Sequence, residues 1–232
     1  LVAMLARADQ QGRFFGILDG GRGLVEALLA TVAVAIFAYV LSQSYGTTSL
    51  ALKQVIYLYV GVLLIVSPLV YWLLDDFEEE SEAEETASKR PFIEDLMDVL
   101  RRREIWLCAL CIVCGYQLFY ATYSFSAYLQ QNFGLTAVAV GTITVAKLWM
   151  RPIGGIAAGF IGDWSNPEKV LSILLVLASI SLSMMAFLPT TSATFMMVAL
   201  VLLIGLLTYG VRGLYWATLG GCNVPNKIKG LA

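Results

Sequence analysis

The chain has 232 residues, 59% of them hydrophobic and only 14% charged, with a net charge of −2 and no histidine. An average soluble domain carries roughly 25% charged residues, so this composition excludes an ordinary soluble globular domain. The longest basic run, Arg101-Arg102-Arg103, is too short for a nucleic-acid footprint, and no nucleic-acid partner is expected.

Leu1–Ala6 reads as the tail of a preceding span, so the chain is expected to be an interior piece of a longer membrane protein whose other helices it needs as partners. Apolar runs then follow over residues 23–42, 54–74, 105–128, 133–161, 170–189 and 194–211. A helix rises about 1.5 Å per residue, so about 20 residues cross a hydrocarbon core of about 30 Å. The core of a soluble domain of this size cannot bury so many such runs. The expected fold is an all-α polytopic membrane protein with about six transmembrane helices in a lipid bilayer.

The connections then alternate between two sides. Residues 7–22, 75–104, 162–169 and 212–229 fall on one side, and 43–53, 129–136 and 189–194 on the other. Apart from Lys53, every basic residue lies on the first side, on the span halves near it or, for Lys147, deeper. The positive-inside rule makes the first side cytoplasmic, in a plasma or bacterial inner membrane.

One connection differs in kind. DDFEEESEAEE, residues 75–85, places eight acids in eleven positions and is expected to stay solvated. After it, PFIEDLMDVLRRR opens on Pro91 with acids early and arginines late, as the helix dipole favours. Phe92, Ile93, Leu96, Met97 and Leu100 recur at helical spacing, which predicts a short amphipathic helix at the membrane face. The expected domains are therefore 1–74, a cytoplasmic acidic linker over 75–104, and 105–232.

Cys108, Cys111 and Cys114 have a spacing similar to iron–sulfur ligation. Inside an apolar helix the same spacing spreads small packing residues along one face, so no metal or cofactor is expected. Glycines at Gly20-Gly21-x-Gly23 and Gly154-Gly155 with Gly159 predict close helix contacts.

A charge within a span costs about 2.5–3.5 kcal/mol on insertion scales, so each one calls for a partner or a cavity. Glu26 lies one turn after Arg22, and Lys147 one turn before Arg151. Each pair is i, i+4 and so shares a nominal helix face. Arg22 and Arg151 either pair with charges on another span or extend to the cytoplasmic surface, with Glu26 neutralising Arg22. Lys147 is too deep to reach the surface and is assigned to a cavity, where it favours an anionic or acceptor-rich solute. The alternative for Glu26 is to take up and release a proton, since burial raises a carboxyl pKa while pairing with Arg22 lowers it.

Gln117, Tyr120, Ser124 and Tyr128 follow at i, i+3, i+7 and i+11, and are read as one polar stripe. Gln117, Tyr120 and Ser124 are taken with Lys147 as candidate substrate contacts, while Tyr128 and Tyr123 also fit an interfacial aromatic belt. Asp163 precedes a polar turn, and its carboxylate can accept backbone N–H groups from a neighbouring helix start. Ser165 or Asn166 is better placed to cap the next span. Arg212 is read as an interfacial anchor.

Three segments resemble the Major Facilitator Superfamily of transporters. Arg151-Pro-Ile-Gly-Gly155 with Gly159-Phe-Ile-Gly-Asp163 is similar to that family's glycine-rich loop signature, placed between its eighth and ninth spans. GRFFGILDGGRG, Gly12–Gly23, resembles the opening of its fifth span, and Gly210–Ala232 resembles its tenth-to-eleventh connection. The resemblance covers essentially the whole chain and implies spans 5 to 10, over residues 15–41, 54–74, 105–128, 133–161, 170–189 and 194–215, with edges of spans 4 and 11. In one departure, Gly221 stands before Cys222-Asn223-Val224-Pro225, where relatives of this type carry an acid.

The resemblance implies that the fifth and eighth spans face each other across the boundary between two bundles. Arg22 and Glu26 would then meet Lys147 and Arg151 as a charge lock, and Asp163 would meet the start of the fifth span near Gln11–Arg13. The implied function is movement of a small solute by alternating access, with ion coupling as uniporter, symporter or antiporter. A non-transporting receptor or scaffold is the alternative. An intramembrane enzyme fits less well, since it would need nucleophiles, metal ligands or paired acids, and ATP-driven pumping lacks its phosphate loop.

Overall fold

The structure is a computed structural model and describes residues 10–73, 97, 100–189 and 194–221. Its main helices are α1 (Gln11–Ser42), α2 (Thr48–Leu73), α3 (Arg103–Ala121), α4 (Phe125–Phe133), α5 (Ala137–Trp164), α6 (Pro167–Phe187) and α7 (Thr194–Gly221). A 3-10 turn over Thr122–Ser124 joins α3 to α4, and no strand occurs among the described residues.

Among the described residues, five segments are long and apolar enough to cross a membrane: Gly12–Ser42, Thr48–Leu73, Ile105–Phe133, Pro167–Phe187 and Thr194–Tyr215. Helix α5, the run expected over 133–161, has the length at 28 residues. Lys147 and Arg151 lower its mean hydropathy, and both are buried. The run expected to end at residue 128 continues helically to Phe133, so the connection after it shrinks to residues 134–136. Gly134 makes that turn in the left-handed conformation (φ 62°), and Thr136 caps α5 by accepting from the Ala139 N–H at 3.3 Å. Asn166 caps α6, accepting from Glu168 and Lys169, with Pro167 at its first position. The acidic connector and most of the amphipathic helix expected over 75–104 lie outside the described residues; Met97 and Leu100 are helical and exposed.

The chain divides into two compact units, residues 1–31 with 102–230 and residues 32–101. In the first, α7 packs along α5, α6 and α3 and is the most enclosed helix. One apolar cluster joins Phe125, Leu129, Val140, Met185, Met197, Val201 and Ile204, and another joins Ala158, Leu171, Val211, Leu214 and Tyr215. In the second unit, the later part of α1 leads through a short turn into α2, where Thr47 accepts from the Leu50 N–H. Ala51 is buried there, while Leu63, Leu64, Tyr71 and Trp72 are exposed, as suits a helix whose solvent is lipid.

Small residues set the closest helix approach in the first unit. A methyl group on Gly16 of α1 would lie 2.7 Å from the Gly155 carbonyl oxygen, and one on Gly213 of α7 would lie 2.8 Å from the same atom. Both helices therefore meet α5 backbone to backbone at one point, which only small residues permit. Gly20 also lies against α5, whereas Gly21 faces open space.

Candidate functional site

Helices α1 and α5 run antiparallel in the first unit and are joined by polar contacts at three levels. At one end the Asp163 carboxylate accepts from the backbone N–H groups of Gly12 and Arg13, at 2.8 Å each. These are donors that the first turn of a helix leaves without internal partners, and a carboxylate there also suits the helix dipole. Asp163 is 3% exposed, and Arg13 Nε lies 3.3 Å from its Oδ2.

In the middle, Arg151 reaches from α5 to two acids on α1. Its Nη2 donates to Asp19 Oδ1 at 2.7 Å and its Nε to Oδ2 at 3.4 Å, a two-point grip on one carboxylate. Its Nη1 donates to Glu26 Oε2. Arg151 is 3% exposed, Asp19 16% and Glu26 44%, so the Asp19 contact is the better enclosed. The guanidinium also lies 5.7 Å from the Tyr209 ring centre, and its stem crosses α1 where Gly23 leaves room. At the third level, Trp149 Nε1 donates to Thr31 Oγ1 at 3.1 Å.

The charge pairing differs from the expected one in two respects. Arg22 is exposed and joins no ion pair among the described residues. The α1 face against α5 is the stripe Gly12, Gly16, Gly20 and Gly23. At about 100° per residue, Asp19 and Glu26 flank that stripe while Arg22 lies roughly 120° from its centre. Asp19, which the sequence reading passed over, takes the place given to Arg22. The available signal was the i, i+7 spacing that puts Asp19 and Glu26 on one face of α1.

Lys147 also pairs differently. Its Nζ donates to Thr122 Oγ1 at 3.0 Å and to the Thr122 carbonyl at 3.4 Å, not to Glu26. Thr122 can accept because its hydroxyl proton already goes to the Phe119 carbonyl. Tyr123 and Phe125 lie 6.0 and 5.9 Å from the ammonium, and the lysine stem crosses α7 where Gly205 leaves room. Helix α5 thus presents two buried cations, one held by carboxylates of α1 and the other by the 3-10 turn after α3.

That turn also breaks the stripe read along residues 117–128. A 3-10 segment has about 3.0 residues per turn, so three residues rotate the later side chains by roughly 60° relative to a continuous α-helix. Gln117, Tyr120 and Ser124 are exposed, while Tyr128 is half-buried against Phe133 and the apolar core. Tyr116, Phe119, Tyr120 and Tyr123 form a connected aromatic wall, with Phe119 5.2 Å from Tyr123 and 6.2 Å from Tyr209. Arg212 is not an interfacial anchor. It is buried, with its guanidinium 4.5 Å from the Phe119 ring centre, because one face of α7 directs it onto α3. Cys108 is buried, Cys111 half-buried and Cys114 exposed, so the three thiols do not share one environment.

Long apolar helices that enclose cations, one of them tied to two acids on a neighbouring helix, define a polytopic membrane protein with a polar interior. The sequence matches the Major Facilitator Superfamily over residues 1–232, and the chain belongs to that family of membrane transporters. It is 27% identical over 239 residues to inner membrane protein YihN of Escherichia coli (strain K12), covering 100% of this chain and 55% of that protein. It is 29% identical over 238 residues to inner membrane protein YqcE of the same organism, covering 98% and 54%. The chain thus spans about half the length of the curated relatives it matches. No solved structure matches it.

Proposed function

We propose that the protein to which this chain belongs is a secondary transporter of the bacterial inner membrane, moving a small solute by alternating access. The observation that carries this reading is the double latch between α1 and α5: Asp163 on the start of α1, and Arg151 on Asp19 and Glu26. Ionic contacts between backbone-close helices hold in one state and release in another without remodelling an apolar core. Asp163, Arg151 and Glu26 take the gating role, with Asp19 in place of Arg22.

Lys147 takes the solute-facing role. Among the described residues the hydrogen-bond partners of this buried ammonium are one hydroxyl and one carbonyl, which leaves donor capacity for a solute oxygen. Gln117 and Tyr120 on α3 and Ser124 in the turn that carries Thr122 are exposed and remain the other proposed solute contacts. The two-bundle layout, with the acidic 75–104 connector on the cytoplasmic side, and any coupling ion belong to the same proposal. Replacing Lys147 with Leu in the full-length protein should leave insertion intact and abolish uptake into proteoliposomes. Wild-type uptake by that variant would remove Lys147 from the mechanism.

A further inference from the structure

Of the three buried cations among the described residues of the first unit, Arg212 is the one whose charge no described side-chain oxygen answers. Arg151 has two carboxylates, and Lys147 has two oxygens of Thr122. Arg212 is 8% exposed, joins no ion pair among the described residues, and its Nε has no hydrogen-bond partner. Thr208, one turn earlier on α7 and nearly on the same face, is buried with its Oγ1 likewise unpartnered. Buried polar atoms without partners are uncommon, and two on one helix face call for an explanation. Lys147, Arg151 and Arg212 against Asp19 and Glu26 also leave one formal positive charge in excess.

Two aromatic rings lie within reach of the Arg212 guanidinium. Phe119 and Tyr116 lie 4.5 and 5.7 Å from the guanidinium carbon. Ring contact does not supply the hydrogen-bond acceptor that the Arg212 Nε lacks, and the paired N–H groups of a guanidinium match the paired oxygens of an oxyanion. From Phe119 the aromatic wall continues through Tyr123, at 5.2 Å, to Lys147, at 6.0 Å. A ligand lying along it would put its charged group at Arg212 and Thr208 and an acceptor oxygen toward Lys147.

Resting on the transport reading above, we infer that Arg212 and Thr208 form an anion site, and that the solute is a small organic oxyanion whose body lies on the Tyr116–Phe119–Tyr123 wall. Carboxylates, sulfonates and phosphate esters share the required chemistry.

The test titrates purified full-length protein with benzoate, benzenesulfonate and phenyl phosphate at constant ionic strength, with benzyl alcohol as the uncharged match. Equilibrium dialysis and the thermal unfolding midpoint are read together. At least one anion should bind and raise the midpoint by several degrees, and the order among the three identifies the preferred oxyanion. Arg212→Gln should weaken that binding at least tenfold. If Arg212→Gln does not fold, Arg212→Lys, which keeps the charge but loses the two-point edge, should weaken it at least threefold. Equal stabilisation by benzyl alcohol, no response to any of the three anions, or unchanged affinity in the folded variant overturns the inference. Uptake of the bound anion into proteoliposomes separates the two readings. Binding that depends on Arg212 without uptake keeps the anion site and removes transport of that anion, whereas uptake indifferent to Arg212→Gln keeps transport and removes the site.

Discussion

Replacing Asp163 with Asn changes one oxygen to an NH2 group and deletes the charge while keeping the shape. In the structure both carboxylate oxygens accept a backbone N–H from the start of α1 at 2.8 Å. The amide can serve one N–H through its carbonyl oxygen, as a neutral bond in place of a charge-assisted one, a loss of about 1 kcal/mol. The other N–H then faces a donor, which costs about 1–3 kcal/mol. The Arg13 side chain is 42% exposed, so losing its ion pair adds less than about 1 kcal/mol. Water reaching the freed helix start offsets part of this, leaving about 2–3 kcal/mol in favour of separated helix ends, roughly a 30- to 150-fold shift. Spin labels at Leu18 and Ile161, both exposed, report the α1–α5 separation in full-length protein with its native cysteines replaced. Pulsed dipolar spectroscopy should show a longer-distance population growing in Asp163→Asn, and solute exchange should slow more than solute binding weakens. Identical distance distributions in variant and wild type would refute the latch.

The two acids on Arg151 should differ in weight. Asp19→Asn removes the better enclosed, two-point partner of a buried cation and should cost about 2–4 kcal/mol, whereas Glu26→Gln, at a 44% exposed side chain, should cost less than about 1 kcal/mol; thermal unfolding of the full-length protein ranks them. Gly16→Ala should cost about 1–3 kcal/mol, because its methyl would press on a backbone oxygen of α5 that cannot swing aside, while Gly21→Ala, facing open space inside a helix, should hold or raise the unfolding midpoint, since alanine is favoured there by up to about 1 kcal/mol.

Asp163 shows how far a family resemblance carries. Its place at the end of a glycine-rich span pointed to the start of the fifth span, and the carboxylate does meet Gly12 and Arg13. Lys147 shows where spacing stops. Its i, i+4 relation to Arg151 placed both on one nominal face, yet their side chains diverge, one to α1 and one to the turn after α3. Arg212 looked like a residue at the inner end of a span, and nothing in its neighbours along the chain shows Phe119 beneath it.

What the chain alone determined is the solvent in which it folds. Apolar runs of about 20 residues leave a backbone no way to satisfy its hydrogen bonds in lipid except as helices, and the rare charges among them had to be answered from within. What only the tertiary structure decided is which charges find a partner inside the protein, and which partner that is. A helix rotates its side chains by about 100° per residue, so a glycine stripe, a three-residue 3-10 turn and the register between helices set each side chain's final direction. Those quantities arise between segments far apart in the chain, and so Asp19 replaced Arg22, Thr122 replaced Glu26, and Arg212 turned inward.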